Sequence, residues 1–213
     1  MNKIQIIVNN GAGTGSAVAV WKETKEYLQE NKIAYNAYLT RYEKHAVKLA
    51  GQICEKIPEG PIYLLVVGGD GTINEVLNGI TDFERVRLGV IPTGSGNDFA
   101  RNLGILRNTR EDLQEITACI GQEQKGEKLQ RIDLGKVSWE GCEKPRIFGI
   151  SAGAGLDAIV CKKALHSKLK KILNRFHMGK LTYLMLTVQT LFSMRTFEAN
   201  VTTDGETESY ENM

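Results

Sequence analysis

Six apolar residues, Ile62-Tyr63-Leu64-Leu65-Val66-Val67, run without a break into Gly68-Gly69-Asp70-Gly71-Thr72-Ile73-Asn74. A run with no polar alternation reads as a buried strand, and a helix is expected to begin near Thr72. Between them the chain turns through three glycines. Glycine permits φ > 0 and lets the main chain come close to a ligand. The free N–H groups at a helix N-terminus favour an anion, most often phosphate. Asp70 adds one carboxylate to that turn. A carboxylate repels phosphate unless a cation or a reacting hydroxyl lies between them, so the turn points to phosphoryl transfer.

The first 120 or so residues repeat this alternation. Strands are expected at 3–9, 33–39, 62–67 and 88–91, and helices at 16–30, 43–56, 72–80, 97–103 and 109–121. This βαβα order predicts an α/β fold with a mainly parallel, doubly wound sheet. Ligands of such sheets bind beyond the carboxyl ends of the strands. From about residue 125 the pattern changes. Strands are expected at 129–137 and 145–151, a long helix at about 156–194, and a hairpin turning at Asp204-Gly205. The sequence thus divides into a nucleotide-binding α/β domain, 1–124, and a β-rich lipid-substrate domain, 125–213. An isolated two-stranded hairpin is marginal, so the second domain is expected to be incomplete at its C-terminus.

A formal net charge of +2 at pH 7 carries no nucleic-acid signature, and no nucleic acid is expected as a partner. Cys54, Cys119, Cys142 and Cys161 match no zinc spacing and are expected to be reduced core thiols of a cytoplasmic protein. No apolar run approaches the roughly 20 residues of a membrane span, and the N-terminus has no signal-peptide pattern.

Three loops follow three expected strands: Asn9-Asn10-Gly11-Ala12-Gly13-Thr14-Gly15, the 68–74 turn, and Pro92-Thr93-Gly94-Ser95-Gly96-Asn97-Asp98. Each leads into a helix, which ordinary turn chemistry does not require. No Gly-x-x-x-x-Gly-Lys-Ser/Thr is present, so the chain is not a P-loop protein. Gly153-Ala154-Gly155-Leu156-Asp157-Ala158 matches a dinucleotide fingerprint. It lacks the acidic residue expected about 20 positions on and reads as a chance match. Asp98 also fits a helix N-cap, and His45 an ordinary surface histidine.

Together the three loops, with Glu75 and the continuation Phe99-Ala100-Arg101, resemble the diacylglycerol kinase catalytic-domain family. The family includes sphingosine, ceramide and bacterial lipid kinases, and its first domain is NAD-kinase-like. Thr40, Ile132-Asp133-Leu134-Gly135 and Gly155-Leu156-Asp157-Ala158 extend the resemblance along the chain. It departs at Asn10, where proline is usual, and at Ile150, where asparagine is common.

The resemblance implies an ATP-dependent lipid kinase that uses Mg2+. It implies that Asn9, Gly11, Gly13, Thr40, Gly68, Gly69, Asp70, Gly71, Thr72, Asn74, Glu75, Thr93, Gly94 and Ser95 bind ATP. Asp70, the expected catalytic group, would meet the nucleotide or its magnesium, and Glu75 would hold the adenosine side or brace the loop. Asn97 and Asp98 would shape the substrate cleft. The general base and structural metal ligands would lie beyond Met213, so no metal ligand is named here.

A lipid substrate implies an anionic membrane surface, and a cytoplasmic location with peripheral contact at the inner membrane face. Leu165, Leu169, Ile172, Leu173 and Phe176 form one expected helical stripe. Lys162, Lys163, Lys168, Lys170, Lys171, Arg175 and Lys180 crowd the same stretch without an acid. Such a helix either lies on anionic lipid or packs on protein with a solvated basic face. A homodimer is compatible with this reading. Two rivals stand beside it: a kinase for NAD or another small molecule, and a non-catalytic nucleotide-binding fragment.

Overall fold

The computed structural model describes residues 3–11, 16–94, 96–105, 108–126, 129–166, 187–191, 196, 198–203 and 205–211. Its first part alternates β1 (Ile4–Val8), α1 (Ser16–Glu30), β2 (Tyr35–Leu39), α2 (His45–Lys56), β3 (Ile62–Gly68), α3 (Asp70–Leu77) and β4 (Val86–Pro92). Two further helices follow, α4 (Asp98–Asn102) and α5 (Thr109–Gln124). The four strands form a parallel sheet in the order β2-β1-β3-β4. The expected α/β class and parallel sheet are therefore present.

Strand side chains alternate between faces, and β3 is apolar on both. Leu64 and Val66 join Ile7 and Val90 beneath α2, α3 and α4, against Leu49, Ile53, Ile73, Val76 and Phe99. Tyr63, Leu65 and Val67 join Ile6, Val8 and Ile91 beneath α1 and α5, against Trp21, Leu28, Leu113 and Ile120. Burying one such aliphatic side chain contributes about 1.5–3 kcal/mol, so both layers clamp the sheet. Burial also raises the Tyr63 phenol above its usual range, helped by the neighbouring Glu123 carboxylate. On the helical layer, Glu30 takes both guanidinium nitrogens of Arg110 at 2.9 and 3.0 Å, tying α1 to α5.

Next come β5 (Gly135–Val137), β6 (Arg146–Phe148), α6 (Leu156–His166), β7 (Ala199–Thr203) and β8 (Glu206–Tyr210). The strands expected at 129–137 and 145–151 shorten to three residues each. Only there do the two segments pair with each other, antiparallel from Gly135↔Phe148 to Val137↔Arg146. Of the long helix expected at 156–194, α6 and a helical run at 187–191 are described. Most of the basic, apolar-striped stretch lies outside the described residues.

The chain divides into two compact units, Met1–Ser151 and Ala152–Met213. The β5–β6 hairpin thus falls with the first unit, beyond the boundary expected near 124. The Asn78 side chain explains this. Its amide donates to Ile147 O at 2.8 Å and accepts from Ile147 N at 2.9 Å, fastening β6 to the end of α3. In the second unit Lys163 Nζ donates to Thr190 Oγ1 at 3.0 Å, and β7 and β8 form the expected hairpin. No helix among the described residues is long and apolar enough to cross a membrane.

The cysteine expectation needs correcting. Only Cys54 is a core thiol; Cys119 and Cys142 are half-buried and Cys161 is exposed, all four unbridged. Cys161 sits on α6, whose sequence has little amphipathic bias to direct it inward.

Gly79 marks the closest helix approach. A Cβ there would stand 2.1 Å from Val47 O and 2.9 Å from Ala50 Cβ, both on α2. Gly79→Ala must push α2 away from the residues after α3, and overpacking of this kind costs about 1–3 kcal/mol. Urea unfolding should show a midpoint lowered accordingly; an unchanged midpoint would contradict the packing described.

Candidate functional site

The register of the sheet brings four loops side by side. Leu39 faces Val8, Val8 faces Val67, and Gly68 faces Pro92. Thr40, Asn9, Gly68 and Thr93 therefore stand in a row along one sheet edge. Main-chain bonds continue the ladder past the strands: Thr40 N to Val8 O at 2.9 Å, Asn9 N to Val67 O at 2.9 Å and Thr93 N to Gly68 O at 3.0 Å.

Side chains then stitch loop to loop. Asn9 Nδ2 donates to Thr72 Oγ1 at 2.9 Å, while Asn9 Oδ1 accepts from Gly11 N at 3.1 Å. Ser16 Oγ, at the start of α1, donates to Thr93 O at 3.2 Å. Asn97 grips Gly94 twice at 2.8 Å, accepting from its N–H and donating to its carbonyl. Gly69 and Gly94 touch across the gap: a Cβ on either would lie 3.0 Å from the other's Cα. None of Gly11, Gly68, Gly69, Gly71, Gly94 and Gly96 has positive φ. Of the two uses expected of these glycines, close approach is the one that Gly68, Gly69, Gly94 and Gly96 show, while a Cβ on Gly71 would meet nothing within 4 Å.

Asp70 opens α3, two residues ahead of the expected start at Thr72. Its Oδ1 accepts from Phe99 N at 3.0 Å, so it satisfies one of the first N–H groups of α4. That is the capping role which the sequence suggested for Asp98. Asp98 is exposed and instead pairs with Arg101, 2.8 Å away. Asp70 Oδ2 and Asp98 Oδ2 both look toward Gly96, 3.1 and 3.6 Å from where its Cβ would be.

Thr72 is buried, and Asn74 is exposed on α3, where its carbonyl accepts from Asn78. Glu75 braces the neighbouring loop. Its Oε1 accepts from Lys44 N at 3.0 Å and its Oε2 from Ala46 N at 3.2 Å. Those are the free amides of the α2 N-terminus, whose own N-cap, Lys44, makes no side-chain bond. His45 is half-buried beside them, stacked on Tyr42 with ring centroids 4.4 Å apart. Gly13 and Ser95, both expected to bind the nucleotide, lie outside the described residues.

Three contacts were not foreseeable from spacing: Ser16 on Thr93, the Phe99 amide on Asp70, and Asn78 on Ile147. Ser16 at a helix start was the one with a signal, since serine is a common end-capping residue.

The diacylglycerol kinase catalytic domain pattern matches residues 3–137. The chain belongs to that family. Over 206 residues it is 30% identical to a proposed lipid kinase of Bacillus subtilis (strain 168), YtlR, covering 96% of this chain and 64% of the relative. It is 33% identical over 167 residues to a diacylglycerol kinase of the same strain, covering 76% of this chain and 49% of the relative. A crystal structure of a diacylglycerol kinase from Bacillus anthracis str. Sterne shares the fold, with TM-score 0.61 and 24% identity. The match covers 98% of this chain and 61% of that one. This diacylglycerol kinase-family chain thus spans about half to two thirds of the length of such relatives.

The arrangement suits a polyphosphate with a hard cation. The Asp70 and Gly71 amides precede the first bonds of α3, which Thr72 N and Ile73 N make to Gly69 O at 2.9 and 3.1 Å, and such leading amides favour negative charge. Thr93 Oγ1, in a residue only 4% exposed, is buried without a hydrogen-bond partner among the described residues. Buried hydroxyls are normally paired, so this one fits a ligand oxygen at the sheet edge. No group of three or more His, Cys, Asp or Glu among the described residues could hold a metal ion alone.

Glu75→Ala would leave Lys44 N and Ala46 N uncapped and should cost about 1 kcal/mol of stability. Chemical unfolding would register this as a lowered midpoint, with Glu75→Gln in between. Wild-type stability in Glu75→Ala would refute the bracing role.

Proposed function

We propose that this chain binds Mg-ATP along the loop row and directs its γ-phosphate to a hydroxyl of diacylglycerol or a similar lipid. The observation that carries this reading is the constrained Asp70 carboxylate. One oxygen is held by the Phe99 amide, and the other faces the third loop beside the α3 N-terminus.

Phosphoryl transfer depends on in-line positioning and neutralisation of phosphate charge more than on covalent chemistry. Backbone N–H groups of Gly69 to Gly71 would take phosphate oxygens, and Thr93 Oγ1 would donate to one more. The Asn9–Thr72 and Phe99–Asp70 bonds tie the first loop and the end of the third to the second, while Asn97 closes the third loop on itself at Gly94. Asp70 would hold Mg2+, which supplies charge neutralisation when bound; no lysine stands in the three loops to do so.

The relatives' names support a lipid acceptor. The acid-free basic stretch 162–180 supports delivery at an anionic membrane surface by a cytoplasmic, peripherally attached protein.

The test is transfer of labelled γ-phosphate from Mg-ATP to diacylglycerol in mixed micelles, with NAD as the competing acceptor. Labelled lipid is expected, with Asp70→Ala lower by about 100-fold or more. Transfer to NAD alone would replace lipid with a small-molecule acceptor, and undiminished Asp70→Ala activity would remove the role assigned to Asp70.

A further inference from the structure

Behind Asp70 lies a continuous mechanical support that the loop motifs do not include. The amide that holds Asp70 Oδ1 belongs to Phe99, second residue of α4, and the ring of the same residue is buried, 3% exposed. That ring lies against the end of β6. A Cβ on Gly149 would stand 2.6 Å from Phe99 Cε2 and 3.1 Å from Leu77 Cδ1. Position 149 is therefore the wedge point between α4, which carries Phe99, and α3, which carries Asp70 and Leu77. The strand cannot recede to make room, because Asn78 pins Ile147 from α3 by two hydrogen bonds.

We propose that Phe99 is the positioning residue for Asp70, and that the bare backbone of Gly149, locked by Asn78, sets where Phe99 sits. The proposal rests on the kinase reading for its effect on turnover, but its structural content does not. Each link is a direct contact: strand to ring, ring to its own main-chain N–H, N–H to carboxylate. A methyl group at 149 meets the ring at less than van der Waals distance and must drive α4 outward. The Asp70 carboxylate then loses its donor and the orientation that the donor imposes. Substitution of Phe99 by a smaller aliphatic residue opens the space again.

The experiment compares the full chain with Gly149→Ala, Phe99→Leu and the double variant, together with Asp70→Ala as reference. The amide proton at position 99 is followed by NMR at one fixed pH. The wild-type resonance should lie downfield, as expected of an amide that donates to a carboxylate. In Gly149→Ala the shift should collapse toward that of Asp70→Ala, and the double variant should recover it. Where lipid phosphorylation is measurable, kcat of Gly149→Ala should fall about ten-fold or more with KM for Mg-ATP nearly unchanged. The double variant should regain most of it, which a general loss of stability would not produce. An amide at 99 that resonates in Gly149→Ala where it does in the wild type overturns the proposal. So does a double variant no better than Gly149→Ala in the same resonance. If the wild type phosphorylates no lipid, the kinase reading fails while the resonance still decides the positioning claim.

Discussion

Every backbone N–H and C=O of a strand buried on both faces has to find its partner in neighbouring strands. β3 meets that demand with β1 on one side and β4 on the other. Its side chains are apolar above and below, so neither helical layer can be removed without exposing it. The register that satisfies this core also decides where the strands stop. Leu39, Val8, Val67 and Ile91 stand level with one another, and the chain emerges four times at the same edge. The row of loops is thus a consequence of how the centre packs.

At that edge the forces change character. Few apolar side chains are available, and order comes from hydrogen bonds between loops, each contributing about 0.5–1.5 kcal/mol net. Asn9 to Thr72, Ser16 to Thr93 and Asp70 to Phe99 join segments far apart in sequence, and Asn97 closes its own loop on Gly94. Several of the named site residues therefore hold the loops and do not point outward. Thr93 Oγ1 is the exception: a buried hydroxyl left for something else. Glu75 likewise serves a neighbouring helix. A site built this way is preorganised, because its polar groups are already aimed when a charged ligand arrives.

Much of this was legible in the sequence. An uninterrupted apolar run located β3, a β-rich run broken only by Gln5 located β1, and helical spacing located α1 and α2, because burial leaves marks in the sequence. The glycine loops marked the edge. What the sequence hid was tertiary. Nothing near Asn78 indicates that its amide would pair with Ile147, 69 residues away, or that this would draw β5 and β6 into the first unit. Asp98 looked like the cap of its own helix, yet Asp70 does that work from another loop. The glycines were expected to permit φ > 0 and close approach to a ligand, and the sequence did not show that Gly69 and Gly94 would instead press on each other. The cysteines misled for a simpler reason: a cysteine's burial depends on which face its element presents, and composition does not say.

The account centres on one nucleotide site formed where the loops meet, and Thr93→Val tests it most directly. The substitution keeps the side-chain shape and removes only the unpartnered hydroxyl. Mg-ATP binding measured by calorimetry should be saturable in the wild type and about ten-fold weaker in Thr93→Val, the loss of one hydrogen bond to a charged group. The unfolding midpoint without nucleotide should not fall. Equal Mg-ATP affinity in the two proteins, or no binding to either folded chain, would contradict the site.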